Sequence, residues 1–170
     1  MIHTLEKIVR EQPFFQGMED QHIQLITGCA KNVRFAAGEF VFRVGGAADD
    51  FYIIRSGEVA VQFAIPNIGS RTERTVGDGE VVGWSWLFPP YRWHFDAKAR
   101  QSTIALAFDG KCLRRKCEED HDLGYAIYTR FMQLVVGSLQ ATLLQLLDVY
   151  ATEHGEPHPA STGGPSRISV

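Results

Sequence analysis

What this sequence lacks narrows its chemistry first. It has no Gly-x-Ser-x-Gly elbow, no His-Glu-x-x-His, no Gly-x-x-x-x-Gly-Lys and no Cys-x-x-Cys, so the local signatures of hydrolases, zincins, phosphate-binding loops and dithiol oxidoreductases are missing. The six histidines, His3, His22, His94, His121, His154 and His158, are scattered, with no pair at ligand spacing on one helix face. The expectation is a protein with no catalytic residues and no metal site, not an enzyme. The three cysteines, Cys29, Cys112 and Cys117, are too few for a disulfide framework or for the four thiolates of an iron–sulfur cluster. They read as free, buried thiols in a reducing compartment. No apolar run approaches the roughly 20 residues of a membrane helix, and the short amphipathic start has no secretory h-region. A cytoplasmic protein with no membrane contact is expected. The net charge of -3 offers no electrostatic reason for nucleic acid or anionic lipid as a partner. The one dense basic cluster, Lys111, Arg114, Arg115 and Lys116, is followed at once by Glu118, Glu119 and Asp120, and reads as a solvated helix end or turn.

The 170 residues suit one domain. Leu5, Ile8 and Val9 give one apolar face, Pro13-Phe14-Phe15 interrupts it, and Asp20 is placed to cap a second helix carrying Ile23, Leu25 and Ile26. From Val33 to Phe108 short apolar runs alternate with glycine: Phe40–Phe42, Phe51–Ile54, Val59–Val61, Val81-Val82 and Ile104–Leu106. Such spacing predicts a small antiparallel sandwich or roll. Helical texture returns after Asp109. Asp120 or Asp122 can cap a helix running to about Tyr150, in which Tyr128, Met132, Val135, Leu139, Thr142, Leu146 and Val149 recur at steps of four and three. This heptad seam predicts a homodimer. Leu134, Ala141, Leu143, Leu144 and Leu147 widen the stripe, so contacts with both the roll and a partner helix are expected. Ala151 to Val170 is rich in Gly, Pro, Ser, Thr and His and reads as a disordered tail.

Two stretches carry a family resemblance. Gly38 to Val59, with its glycine turn Gly45-Gly46, acidic Asp49-Asp50, apolar Phe51-Tyr52-Ile53-Ile54 and Ser56-Gly57-Glu58-Val59, resembles the front half of a cyclic nucleotide-binding domain of the Crp/Fnr-like group. Gly79-Glu80-Val81-Val82-Gly83 through Arg92, Trp93 and on to Ala99 resembles the phosphate-binding cassette of that family. The resemblance covers residues 1 to about 150. It implies an α+β fold, an antiparallel β-roll (double-stranded β-helix or jelly roll) over 32–108, between N-terminal helices over 2–30 and C-terminal helices over 110–150, the last of them a long dimerisation helix. It also marks where this chain departs from the family. The cassette positions that hold a ribose-binding glutamate and a phosphate-binding arginine in the family are Trp84 and Trp93 here, and Arg92 lies one position early.

The resemblance implies a sensor or regulatory domain that binds a small molecule in the roll and signals through a homodimer to an unknown protein partner. The candidate pocket is Val82, Gly83, Trp84, Ser85, Trp86, Arg92, Trp93 and His94. No cofactor is called for beyond a nucleotide-like ligand. Trp84, Trp86, Trp93 and Phe95 can be read in two ways: as the lining of a pocket altered for a flatter, less charged ligand, or as aromatics that fill the vacated site and leave a dimeric interaction module. Some twenty residues follow Tyr150 and are rich in Pro and Gly, so no recognition helix and no direct DNA binding are expected.

Overall fold

A computed structural model describes residues 2–65 and 69–153. Helix α1 (Ile2–Arg10) leads into a 3-10 turn at Pro13–Phe15 and helix α2 (Asp20–Thr27). Strands β1 (Ala30–Phe35), β2 (Phe40–Phe42), β3 (Asp50–Ser56), β4 (Val59–Ile65), β5 (Gly69–Val76), β6 (Val81–Val82), β7 (Asp96–Ala99) and β8 (Thr103–Asp109) follow, with a second 3-10 turn at Ser85–Leu87. Helices α3 (Gly110–Glu119) and α4 (His121–Glu153) close the described chain. The strands form two antiparallel four-stranded sheets, ordered β1-β8-β3-β6 and β2-β7-β4-β5. This is the β-roll with N-terminal helices and a long C-terminal helix that the sequence implied.

The first sheet is covered on both faces, which explains why β3 and β8 read as continuous apolar runs instead of alternating ones. On the inner face Tyr52, Ile54, Ala105 and Ala107 join Val59, Val61, Val76 and Ala97 of the second sheet in one buried cluster. On the outer face Phe51 stacks on Phe108 at 4.6 Å and meets Phe131 of α4 edge-on at 5.0 Å. Phe15 packs edge-on against Phe108 at 5.4 Å, and the Arg130 guanidinium donates to the carbonyls of Phe14 (3.1 Å) and Gln16 (2.9 Å). The Pro-Phe-Phe break is thus the seat on which the start of α4 rests.

Three readings of the helices and cysteines change. Asp20 is the first helical residue and does not cap α2; its carboxylate takes an ion pair from Arg10, which also reaches Glu6. The basic cluster lies along a full helix, α3, capped by Asp109 accepting from the Cys112 N–H at 2.8 Å. Asp120 does cap α4, accepting from the N–H groups of Asp122 (3.1 Å) and Leu123 (3.0 Å). The cysteines are not all free: Cys29 and Cys112 form a disulfide across 83 residues, and only Cys117 is a buried thiol. Spacing in sequence could not reveal the pair, because the roll between the two cysteines begins and ends at the same place: the Asp109 N–H donates to the Cys29 carbonyl at 2.9 Å.

The contacts divide the chain into compact units at residues 1–132 and 133–170, and the division falls inside α4. In the first unit α4 buries Leu123, Ile127 and Phe131. In the second, Val136, Leu139, Leu143, Leu144, Leu146 and Leu147 are 44–63% exposed. Of the heptad positions, Tyr128, Met132, Leu139 and Leu146 are exposed, Val135 and Thr142 are half-buried, and the Val149 side chain lies outside the described ones. The stretch His121–Asp148 is long and apolar enough to cross a membrane by length and composition, with a mean hydropathy of 1.2. Gly, Ser, Thr and Gln interleave its apolar residues, and Asp122, Arg130 and Asp148 lie within it, so it holds no unbroken apolar run of that length. Helix α4 continues to Glu153, and the rest of the expected tail, 154–170, lies outside the described residues.

Candidate functional site

The cassette begins at a turn that its glycines make possible. Gly79 has φ +79°, its N–H donates to the Ile54 carbonyl at 2.7 Å, and the Glu80 carboxylate accepts from the Gly77 N–H at 2.7 Å. Strand β6 then pairs with β3, Val82 opposite Tyr52, and delivers Gly83 at φ +91° into the roll. A residue other than glycine is strained at such a φ. Space excludes one as well: an ideal Cβ on Gly83 would lie 2.8 Å from the ring carbons Cη2 and Cζ3 of Trp93.

Trp93 reaches that place because the chain, after Tyr91 at φ +53°, bridges the 45–48 loop with Arg92 opposite Ala47. The Gly45 N–H donates to the Trp93 carbonyl at 2.8 Å, the Trp93 N–H to the Gly46 carbonyl at 3.0 Å, and the Ala48 N–H to the Tyr91 carbonyl at 2.8 Å. Side chains therefore alternate from one side to the other. Trp93 and Phe95 point inward and are buried, while Arg92 and His94 are exposed. The Arg92 guanidinium donates to the Gly45 carbonyl at 2.7 Å on the outside of this loop. The one-position offset of Arg92 thus places it on the face opposite Trp93.

Inside, Trp93 stacks on Phe42 with centroids 3.7 Å apart and planes 10° apart. Phe42 also approaches Phe95 (5.9 Å) and Tyr52 (6.2 Å), and Trp84, half-buried, meets Phe95 edge-on at 5.6 Å. Small side chains from both sheets, Ala97 on β7 beside Phe42 and Ala105 and Ala107 on β8, are buried in the same cluster. Large aromatics from the cassette and β2 thus share the roll interior with small residues on the strands. Burial pushes the Tyr52 phenol well above the ordinary tyrosine range, with the Asp50 carboxylate adding to the shift.

The eight candidate pocket residues are not gathered in one place. Val82, Gly83, Trp84 and Trp93 border the roll interior. Trp86 lies on the opposite side of the first sheet, stacked on Phe51 at 5.1 Å and edge-on to Phe131 at 5.4 Å. Ser85 is buried with its Oγ 3.3 Å from Nδ1 of the exposed His94. Sequence reasoning missed Arg74. On β5 it stands opposite the buried Val61, is half-buried, and donates to the Val81 carbonyl at 3.3 Å. Its signal was position, two residues before the buried Val76, in a stretch too polar to read as a core strand. A register shift between Val61 and Gln62 opposite β5 also hid the alternation.

The family profile described as the cyclic nucleotide-binding domain matches residues 32–120, just over half of the chain. The chain belongs to the cyclic nucleotide-binding domain family. Similar solved structures include a protein from Geobacter metallireducens described as cyclic nucleotide-binding, at 22% identity and TM-score 0.71 over 79% of this chain and 97% of that one. A cyclic nucleotide-binding domain from Methylobacillus flagellatus matches at 19% identity and TM-score 0.72 over 86% and 83%. The sensor domain of the transcriptional regulator DNR from Pseudomonas aeruginosa matches at 18% identity and TM-score 0.64 over 86% and 93%. At these identities the structures share the fold. No curated protein matches the chain. The two glycines of the cassette stretch, Gly79 and Gly83, both stand at positive φ.

Proposed function

We propose that this chain is a non-enzymatic, regulatory dimerisation module whose roll no longer admits a cyclic nucleotide. The observation that carries the reading is the Trp93–Phe42 stack against Gly83. A cyclic phosphate needs a guanidinium or a comparable charge-assisted donor, and an indole occupies that place. Binding would require displacing a buried stack worth about 0.5–1.5 kcal/mol beyond its burial. Signalling then passes through assembly and not through ligand uptake. The module pairs with a second copy through α4, whose apolar side chains beyond Met132 are exposed on more than one face; a helix apolar all round is stable only when covered. The net charge of -3 argues for a protein partner over DNA, and a cytoplasmic location suits such a regulator.

Two measurements test this. Titration of the intrinsic tryptophan fluorescence with cAMP and cGMP should give no saturable change up to about 1 mM, the weak limit of specific binding. A saturable change would favour the ligand-sensor reading, for which the half-buried Arg74, donating to the Val81 carbonyl, supplies a guanidinium beside β6. Light scattering should show a dimer at micromolar concentration, and Leu139→Glu with Leu146→Glu should give a folded monomer. A parent that is monomeric would remove assembly from the proposal.

A further inference from the structure

The Cys29–Cys112 disulfide joins the end of α2 to the first turn of α3, and its surroundings differ on the two sides. Cys29 is 7% exposed, whereas Cys112 is half-buried on a helix whose neighbouring residues Lys111 and Arg115 face solvent. A thiolate can therefore approach Cys112 Sγ more readily than Cys29 Sγ. A cation also lies on the Cys29 side of the bond. Lys116 donates to the Leu25 carbonyl, and its ammonium lies 2.8 Å from where a Cβ on Gly28 would stand, one residue from Cys29. A nearby cation stabilises a departing thiolate and speeds exchange. Released Cys112 sits in the first turn of α3, where the helix dipole favours negative charge. The acidic groups around it are Asp109, whose carboxylate is engaged as the helix cap, and Asp49, paired with Lys111 at 3.1 Å. The third cysteine does not compete: burial, with Asp120 and Glu118 nearby, pushes the Cys117 thiol up to about 11, so it stays protonated and unreactive near neutral pH.

We propose that Cys29–Cys112 is a thiol-exchange site, opened in the native protein by a low-molecular-weight thiol that attacks Cys112. The attacking thiolate forms a bond to Cys112 Sγ as the Cys29–Cys112 bond breaks, and the electron pair departs on Cys29, which takes a proton from water. A second thiolate attacks the mixed disulfide, leaving Cys112 reduced and the two small thiols oxidised to their own disulfide. Two electrons pass to the protein, and the reverse sequence closes the bond. Opening removes the covalent tie between α2 and α3, leaving the Lys116–Leu25 and His22–Asp120 (3.6 Å) contacts to hold that joint.

The full chain is incubated in native buffer with reduced glutathione, quenched in acid, and mapped by peptide mass. The expected result is glutathione on Cys112, followed by two alkylatable thiols at Cys29 and Cys112 while Cys117 stays unlabelled, with faster hydrogen exchange in 110–123. Subsequent oxidation with glutathione disulfide should restore the bond. Opening only in denaturant, at the rate of global unfolding, would overturn the proposal and leave a structural staple. Glutathione found on Cys29 would overturn the assignment of Cys112 as the attacked sulfur. As a control without the bond, Cys29→Ser incubated with glutathione disulfide should take glutathione on Cys112, releasing reduced glutathione, at least about tenfold faster than Cys112→Ser takes it on Cys29, following access to the thiol. Equal rates would contradict it.

Discussion

Trp84→Glu together with Trp93→Arg, which restores the family's anchor residues, should unfold the roll and not create a nucleotide site. Trp93 is 5% exposed, its ring stacked on Phe42 and pressed on Gly83. Loss of a buried aromatic alone costs about 3–5 kcal/mol. A guanidinium in its place adds the cost of burying a charge among apolar side chains, since Val41, Phe42, Ala48 and Phe95 surround it in one cluster. The sum approaches the roughly 5–15 kcal/mol that holds a domain folded. Trp84 is half-buried, so Trp84→Glu by itself should cost about 1–2 kcal/mol, the usual range for a partly buried site. Thermal melts of the double variant with and without 1 mM cAMP separate the readings: a broad or absent transition in both is expected, and a native-like melt raised by cAMP would revive the sensor. Trp93→Phe, which keeps the stack but shortens the ring, should retain the fold and lose about 1–3 kcal/mol.

Much of this architecture can be read from local chemistry. The runs at Phe40–Phe42, Phe51–Ile54, Val59–Val61, Val81-Val82 and Ile104–Leu106 all fall in strands, and Asp120 caps α4 as its position implied. The strands that none of these runs marked are β1, β5 and β7. Strand β5, GSRTERTV, is polar, and β7, DAKA, contributes only Ala97 and Ala99 as buried residues. They are strands because their neighbours pair with them, not because of their own propensity. The cassette was legible as a motif and not as a geometry. Its alternation put Trp93 inside and Arg92 outside, as strand periodicity requires, but a 3-10 turn at Ser85–Leu87 sends Trp86 to the other side of the first sheet, against Phe51 and Phe131. Trp84 and Trp86, two residues apart, thus serve different cores. The disulfide was the least legible feature, because pairing across 83 residues is a property of where the roll closes and not of any local pattern.

Removing that bond should produce the second large effect. A cross-link spanning 83 residues restricts the unfolded chain, and the loop-entropy relation assigns it about 4.5 kcal/mol. In a domain of this size each kcal/mol lowers Tm by about 2–4 °C, so Cys112→Ser, or Cys29→Ser with Cys112→Ser, should melt about 10–15 °C below the parent. Native α3 should survive the change, because Asp109 caps it, the Gly110 N–H donates to the Asp49 carbonyl at 2.6 Å, and Leu113 is fully buried. The effect therefore belongs mainly to the unfolded state, and that origin has its own signature. Freed of the cross-link, the unfolded ensemble exposes more surface, so the urea m-value should rise as the midpoint falls. Cys117→Ser, which introduces a hydroxyl at a buried site outside the bond, should cost about 1–3 kcal/mol with the m-value unchanged. An equal m-value for the Cys112→Ser variant and its parent, with a Tm shift under about 3 °C, would mean that the bond does not restrain the unfolded chain as the loop-closure relation requires.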